Sequence, residues 1–357
     1  MNSRFSKPFI SAFIFISSCL YSNSLHPEIK PDEDILFYPT YAYLNNEGII
    51  TCKVHGHIFE KEEDSIIRKA LLHSIMEAAE EDEKSEQYNP YLAERIKPFL
   101  YDNEGDKIIT VRINGKDYTL DESHDNGHFN AEIRLKSSIK KTGTVITYNV
   151  NTAHDDRRKF TGSSIFISRS GISVISDIDD TIKESNVLNK KELLKNTFLR
   201  EFKAVKGMSS FYKKLKSQGA AFHYVSGSPW QLYPSISGFI KKSKFPAGSF
   251  HLKYIRAKDS SIIDFITADQ LSFKVNNIES ILKDFPGRKF ILIGDSGEFD
   301  PEVYTEITQR HREQIKAVYI RDVNKPGDTP ARYEKLKAME PEIKFTLFKD
   351  PGELRIP

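Results

Sequence analysis

Two carboxylates one residue apart, Asp177 and Asp179, close the stretch Gly171-Ile172-Ser173-Val174-Ile175-Ser176-Asp177-Ile178-Asp179-Asp180-Thr181. Acids so placed can divide a phosphoryl transfer between them, one attacking phosphorus and the other handling the proton. The apolar run ahead of them is rich in β-branched residues and predicts a buried strand. In an open α/β sheet the carboxyl end of such a strand is where ligands and chemistry collect. A calcium loop is excluded by spacing. Its fifth place needs Asp or Asn and its sixth Gly, where this chain has Thr181 and Ile182. A solvated acidic turn would need no buried strand before it.

Three later stretches extend the site. Ala221 to Trp230 reads as a second strand ending in Ser226-Gly227-Ser228, where a hydroxyl and a free backbone N–H can hold phosphate oxygens. Phe273 to Phe285 carries apolar residues at helical spacing, with Lys274 in the first turn. After Pro286-Gly287, the run from Lys289 predicts a strand ending at Gly294-Asp295, and Pro301 opens a helix with Asp300 as its N-cap. Alone, a lysine is usually a solvated surface residue, and Ser-Gly or Gly-Asp is ordinary turn chemistry. The ordered set is more specific than its parts.

That set resembles the haloacid dehalogenase superfamily of phosphotransferases. The wording SDIDDTIKES, YVSGSPW, GSFHLKYIR, FILIGDSGEFDPEVY and AVYIRDV is similar to the catalytic domain of the actin-patch-associated phosphatidate phosphatase family. The resemblance is close from about Ser164 onward, and looser through YPTYAYLNNEGIITCKVHGHIFE and NGHFNAEIRL. It implies that Asp177 is the nucleophile and forms an aspartyl phosphate. Asp179 would act as general acid and then as general base. It further implies Mg²⁺ held by the Asp177 and Asp295 side chains and the Asp179 carbonyl, with Asp300 as the second acid of the last motif. Lys274 would neutralise the phosphoryl oxygens, Ser226 and Gly227 would bind them, and Arg321 would pair with phosphate or an acid. Thr181 is expected to fix the loop; Asp180 is given no role. Superfamily members that cleave carbon–halogen bonds lack the second acid, so Asp179 argues for phosphomonoester hydrolysis.

The elements that must position these residues follow from pattern. With 357 residues and 39% hydrophobic content, the chain has room for two domains. Its 52 basic and 50 acidic residues give a net charge of +2, which implies no nucleic-acid preference. Residues 1–25 read as an export signal: Arg4 and Lys7, then an apolar stretch from Phe9 to Leu20 too short to span a bilayer. Ile16-Ser17-Ser18-Cys19 resembles a bacterial lipoprotein processing site, with Ile where Leu is commonest and Ser where Gly or Ala is. The alternative is plain secretion. Residues 26–162 predict a mostly-β, sandwich-like domain with a helical insertion at about 64–99 and hairpin turns at Asn114-Gly115 and Asn126-Gly127. The acidic run from Glu77 to Glu83 reads as a solvated helical face. Cys52 is the only cysteine besides Cys19 and falls on the strand face opposite His55 and His57, which are expected as an exposed pair.

Residues 163–357 predict an α/β domain, a doubly wound, mostly parallel sheet with little or no cap. An uncapped site is expected to be open, with Trp230, Tyr233, Lys183, Lys253 and Arg256 as candidates for its mouth, each alternatively packing or surface. The favoured reading is a Mg²⁺-dependent phosphatase for phosphatidate or a related lipid phosphate at a membrane surface. A phosphatase for soluble or protein phosphoesters is the runner-up. An exported, non-catalytic phosphate-binding protein is the third reading, and it has no chemical need for Asp179.

Overall fold

The computed structural model describes residues 29–61, 65–81, 89–136, 138–152, 156–255, 271–323 and 330–357. Cys19, the rest of the expected export signal, and Arg256 lie outside them. Among the described residues no helix is long and apolar enough to cross a membrane.

The first half is one hydrogen-bonded sheet of nine strands. They are β1 (Glu33–Phe37), β2 (Thr40–Leu44), β3 (Ile50–Glu60), β4 (Asp102–Asn103), β5 (Thr110–Ile113), β6 (Lys116–Thr119), β7 (His128–Leu135), β8 (Val145–Val150) and β9 (Thr161–Ile167). The expected sandwich is thus a continuous sheet, with Ile50, Val54, Val111, Ile133, Ile146 and Phe166 in its core. Alternation along β3 and β7 produces this: every second residue is apolar and points into that core. Asn114-Gly115 turns β5 into β6 as expected, with φ of 50° and 78°. Asn126-Gly127 also turns the chain, but β7 then pairs β3 rather than its predecessor. The sheet continues through β9, so the domain boundary falls after Ile167, not at 162. Ser163 and Ser164 both pair in the ladder, and Ser164 Oγ donates to the Lys53 carbonyl.

The second half is a six-stranded sheet, parallel at every pairing. Its order is β12-β11-β10-β13-β14-β15, from β10 (Gly171–Ser176), β11 (Ala221–Pro229), β12 (Ser249–Lys253), β13 (Arg288–Asp295), β14 (Ile315–Arg321) and β15 (Lys344–Phe348). β10 and β13 are central and buried on both faces, as their near-continuous apolar runs require. The chain crosses outward from β10 in both directions, which makes the carboxyl ends of β10, β11 and β13 the switch point.

Helices cover both faces of this sheet. In chain order they are α1 (Ser65–Ala79), α2 (Pro90–Ile96), α3 (Lys190–Leu194), α4 (Met208–Ser217), α5 (Tyr233–Lys242), α6 (Leu271–Asp284), α7 (Asp300–Arg310) and α8 (Glu334–Lys337). A π turn, Lys195–Leu199, continues α3. The insertion helices α1 and α2 join the core of the second half, where Ile75, Met76, Leu92 and Ile96 lie in one cluster with Leu194 and Phe198. Among the described residues of the insertion, none is in the core of the nine-stranded sheet.

The two halves meet over an aromatic seam. Tyr38 packs on Trp230 with ring centroids 4.2 Å apart, and Trp230 on His55 at 4.6 Å. His55 and His57 are therefore buried rather than exposed, because the second half covers that strand face. Trp230 and Tyr233 belong to this packing, not to an open mouth. Cys52 lies on the other face, inside the first sheet's core.

Candidate active site

Asp177 follows the last residue of β10, and its backbone N–H donates to the Ile293 carbonyl of β13 at 2.9 Å. Lys274 Nζ, from the first turn of α6, donates to Asp177 Oδ1 at 3.0 Å and to Asp300 Oδ1 at 2.6 Å. It also reaches Glu298 at 3.3 Å. Thr181 Oγ1 donates to the other Asp177 oxygen at 3.1 Å, the loop-fixing contact expected of it. Burial raises the Asp177 carboxyl well above its ordinary range, and the neighbouring acids Asp300, Glu298 and Asp179 add to the effect against Lys274. Burial alone would lower Lys274, but Asp177, Asp300 and Glu298 override it and hold the ammonium charged.

Asp179 sits in a different field. Lys183 Nζ lies 2.6 Å from its Oδ1, and Ser185 Oγ donates to the same oxygen at 2.7 Å. Ser228 Oγ donates to Oδ2 at 2.8 Å and Ser226 Oγ at 3.3 Å. Burial would raise this carboxyl, but the Lys183 charge and these hydrogen bonds win and bring it to about 2. Lys183, expected at the mouth or the surface, is buried beneath the loop. Ser226, expected on phosphate, lies against Asp179 and accepts from the Ser228 N–H at 3.0 Å.

Asp180, given no role from sequence, is what shapes this loop. It takes a left-handed φ of 51°, and its carboxylate accepts the N–H groups of Ser185, Asn186 and Val187. Arg321, at the end of β14 beside Asp295, donates to the Asp180 carbonyl at 2.6 Å.

The third cluster gathers at β13. Asp295, Glu298 and Asp177 each offer an oxygen, and the three oxygens lie within 4.8 Å of one another. Asp295 Oδ1 is buried without a hydrogen-bond partner, while Oδ2 accepts from the Gly297 N–H at 2.5 Å. Burial raises Asp295 and Glu298, and the other acids raise Asp295 further. An orphaned oxygen among crowded carboxylates is what a hard divalent cation satisfies, so these residues fit Mg²⁺. Both oxygens of Asp300 are engaged, one by Lys274 and one by the Asp295 N–H at 3.1 Å. The acid that completes the cluster is Glu298, which sequence reading missed. Its signal was a third acid between Asp295 and Asp300 in the GDSGEFD run. Asp300 is not the N-cap of α7; that position is Phe299.

The cleft in front of Asp179 is narrow rather than open. It holds about 20 Å³ between Gly227, Ser228, Leu232, Leu193, Thr197 and Glu298.

Residues 172–322 match the family described as the phosphatidate phosphatase APP1 catalytic domain. The chain is 30% identical over 304 residues to phosphatidate phosphatase APP1 of Saccharomyces cerevisiae, covering 81% of this chain and 51% of that protein. It is 34% identical over 161 residues to an uncharacterised protein of Schizosaccharomyces pombe, covering 44% of this chain and 26% of that one. The chain thus spans about half the length of the first relative and about a quarter of the second. Among solved structures, a class C acid phosphatase from Bacillus anthracis with tungstate bound aligns with a TM-score of 0.28 and 10% identity, over 47% of this chain and 78% of that one. A phospho-aspartyl intermediate analogue of phosphoserine phosphatase aligns at 0.29 and 12%, over 46% of this chain and 90% of that one. Alignment at this level adds nothing to the fold described above. Residues 172–322 are thus similar to the phosphatidate phosphatase APP1 catalytic domain.

Proposed function

We propose that this chain is a Mg²⁺-dependent phosphomonoester hydrolase that works through an aspartyl phosphate on Asp177, with phosphatidate or a related lipid phosphate as substrate. The observation that carries the reading is one buried carboxylate, Asp177, shared between Lys274 and the Asp295–Glu298 pair, with a second acid, Asp179, two residues on. In the first step an Asp177 oxygen bonds to phosphorus while the bond to the leaving oxygen breaks, and that oxygen takes a proton from Asp179. In the second, water bonds to phosphorus, gives its proton to Asp179, and frees Asp177 and inorganic phosphate.

At rest Asp179 is the carboxylate, the form the water-activating half needs. The protonating half requires the incoming phosphate dianion to raise its proton affinity, as a like charge does. Lys274 neutralises charge on the phosphoryl oxygens and restrains the nucleophile. Bound by Asp177, Asp295 and Glu298, with the Asp179 carbonyl as expected from the family, Mg²⁺ would screen the negative charge of phosphate and acids.

The lipid assignment draws support from the relative named phosphatidate phosphatase and from the aliphatic walls of the cleft, Val187, Leu193 and Leu232. Export of the chain and lipid attachment at Cys19 are part of the same proposal and would hold the site at a membrane. A phosphatase for soluble or protein esters remains the second reading, favoured by the narrow cleft. Purified chain with Mg²⁺ should release phosphate from phosphatidate in micelles faster than from glycerol phosphate. Preference for glycerol phosphate or nucleotides over every lipid tried would remove the lipid assignment, and inactivity on all of them the phosphatase reading.

A further inference from the structure

Two walls of the narrow cleft, Leu193 and Thr197, belong to one unit: α3 and the π turn that continues it. π turns are rare and concentrate at functional sites. The end of such a turn leaves carbonyls without helical partners. Here the partners come from the insertion in the first half of the chain. Arg95 Nη1 donates to the Thr197 carbonyl at 2.9 Å and to the Arg200 carbonyl at 2.7 Å. Asn89 Nδ2 donates to the Leu199 carbonyl at 2.9 Å. Arg95 is buried, with its guanidinium 3.7 Å over the Phe202 ring. The start of the unit is fastened as well, by ion pairs of Lys191 with Glu80 and of Lys195 with Glu81. Beneath these contacts α1 and α2 share the apolar core of Leu194 and Phe198.

We infer that the helical insertion α1–α2 is a brace for the α3 wall of this site, and that Arg95 and Asn89 are positioning residues that set which phosphoesters enter it. The inference rests on the phosphatase reading above. If Asp179 handles the proton of the leaving oxygen, the leaving group lies on the Asp179 side, against Leu193, Thr197 and Leu232. Holding the carbonyls of Thr197, Leu199 and Arg200 fixes how far that wall stands from Asp179. Neither Arg95 nor Asn89 lines the cleft, so each acts on the leaving group only through the wall.

Two variants separate this role from plain structure. Asn89→Asp keeps the side-chain oxygen that caps α2 by accepting from the Tyr91 and Leu92 N–H groups, but loses the donor to Leu199. Arg95→Met keeps an apolar stem and removes both guanidinium bonds. With the full chain and Mg²⁺, kcat/KM is measured for p-nitrophenyl phosphate and for dioctanoyl phosphatidate. Inhibition by inorganic phosphate and amide hydrogen exchange across 195–200 are followed in parallel. The expected result is a change of about tenfold in the ratio of the two kcat/KM values, the scale on which a reshaped pocket discriminates. Inhibition by phosphate, which has no leaving group, should stay within about twofold of wild type on the same reasoning. Exchange should quicken in both variants. An equal loss on both esters, or an unchanged ratio with quickened exchange, overturns the inference. A wild type inactive on both esters sinks the phosphatase reading instead, and the exchange arm still decides the clasp: unchanged protection in both variants overturns it.

Discussion

Asp177 is buried yet keeps partners on both of its oxygens, Lys274 on one and Thr181 on the other. A nucleophilic carboxylate needs that restraint, because its two oxygens would otherwise sample directions away from phosphorus. Asp177→Asn should therefore abolish turnover while leaving the fold intact, since the amide oxygen can accept from Lys274 while the amide N–H donates to the Thr181 hydroxyl. Wild-type activity in that variant would remove the mechanism. Asp179→Asn should slow turnover severely and let phosphoenzyme accumulate, because proton transfer at both steps is impaired; acid-quenched protein carrying no label from labelled substrate would contradict this. Asp295→Ala should raise the Mg²⁺ needed for half-maximal activity or eliminate activity, and chelator should silence the wild type reversibly. An unchanged Mg²⁺ requirement would show that the orphaned Asp295 oxygen holds no cation.

Strand ends and the loops that leave them explain both what the sequence revealed and what it concealed. Asp177, Asp179, Lys274 and Asp295 were readable because each stands at a fixed offset from a strong strand or helix pattern. Lys183, Ser185 and Ser228 were not, since their partner is Asp179 and only the folded loop brings them to it. The same holds for Asp180, whose carboxylate ties down amides five to seven residues later. Strand β9 escaped because its Ser164 hydroxyl meets Thr40 and the Lys53 carbonyl across the sheet rather than marking a loop. The narrow cleft was hidden for a longer-range reason: its walls depend on Arg95 and Asn89, about a hundred residues before them. At the end of β13 the packing leaves one glycine no freedom. A Cβ on Gly294 would overlap the Asp300 carboxylate, which holds Lys274 and the Asp295 N–H. Gly294→Ala should push the start of α7 outward, cutting activity by about a hundredfold, the scale of a misplacement near 1 Å. It should also lower the melting temperature. A fully active variant would mean that Asp300 can move without consequence for the site.

Over the whole molecule the halves are joined by a seam of histidines and aromatics. His55 Nε2 lies 3.1 Å from His128 Nδ1 and 3.3 Å from the Tyr254 hydroxyl, while His57 Nε2 reaches Asn103 Oδ1 at 2.8 Å. Burial lowers His55 to about 3 and His57 to about 4, and pushes His128 down as well. In the unfolded chain these rings titrate near 6.5. Above that value both states are neutral and the histidines contribute no pH dependence. Below it the unfolded chain takes up protons that the native seam refuses, so stability falls as pH drops, until His57 protonates near 4 and His55 near 3. Each such ring contributes a slope on the order of 1 kcal/mol per pH unit across that window. The acids of the active site titrate in both the wild type and any seam variant, so the difference between two proteins isolates the seam. His57→Gln keeps a group able to meet Asn103 and cannot be protonated. Between pH 6.5 and 4.5 its melting temperature should fall less steeply than that of the wild type, with the two curves parallel above pH 7. Parallel curves over the whole range would show that the seam opens to water before the halves unfold, and that burial of His57 does not hold them together.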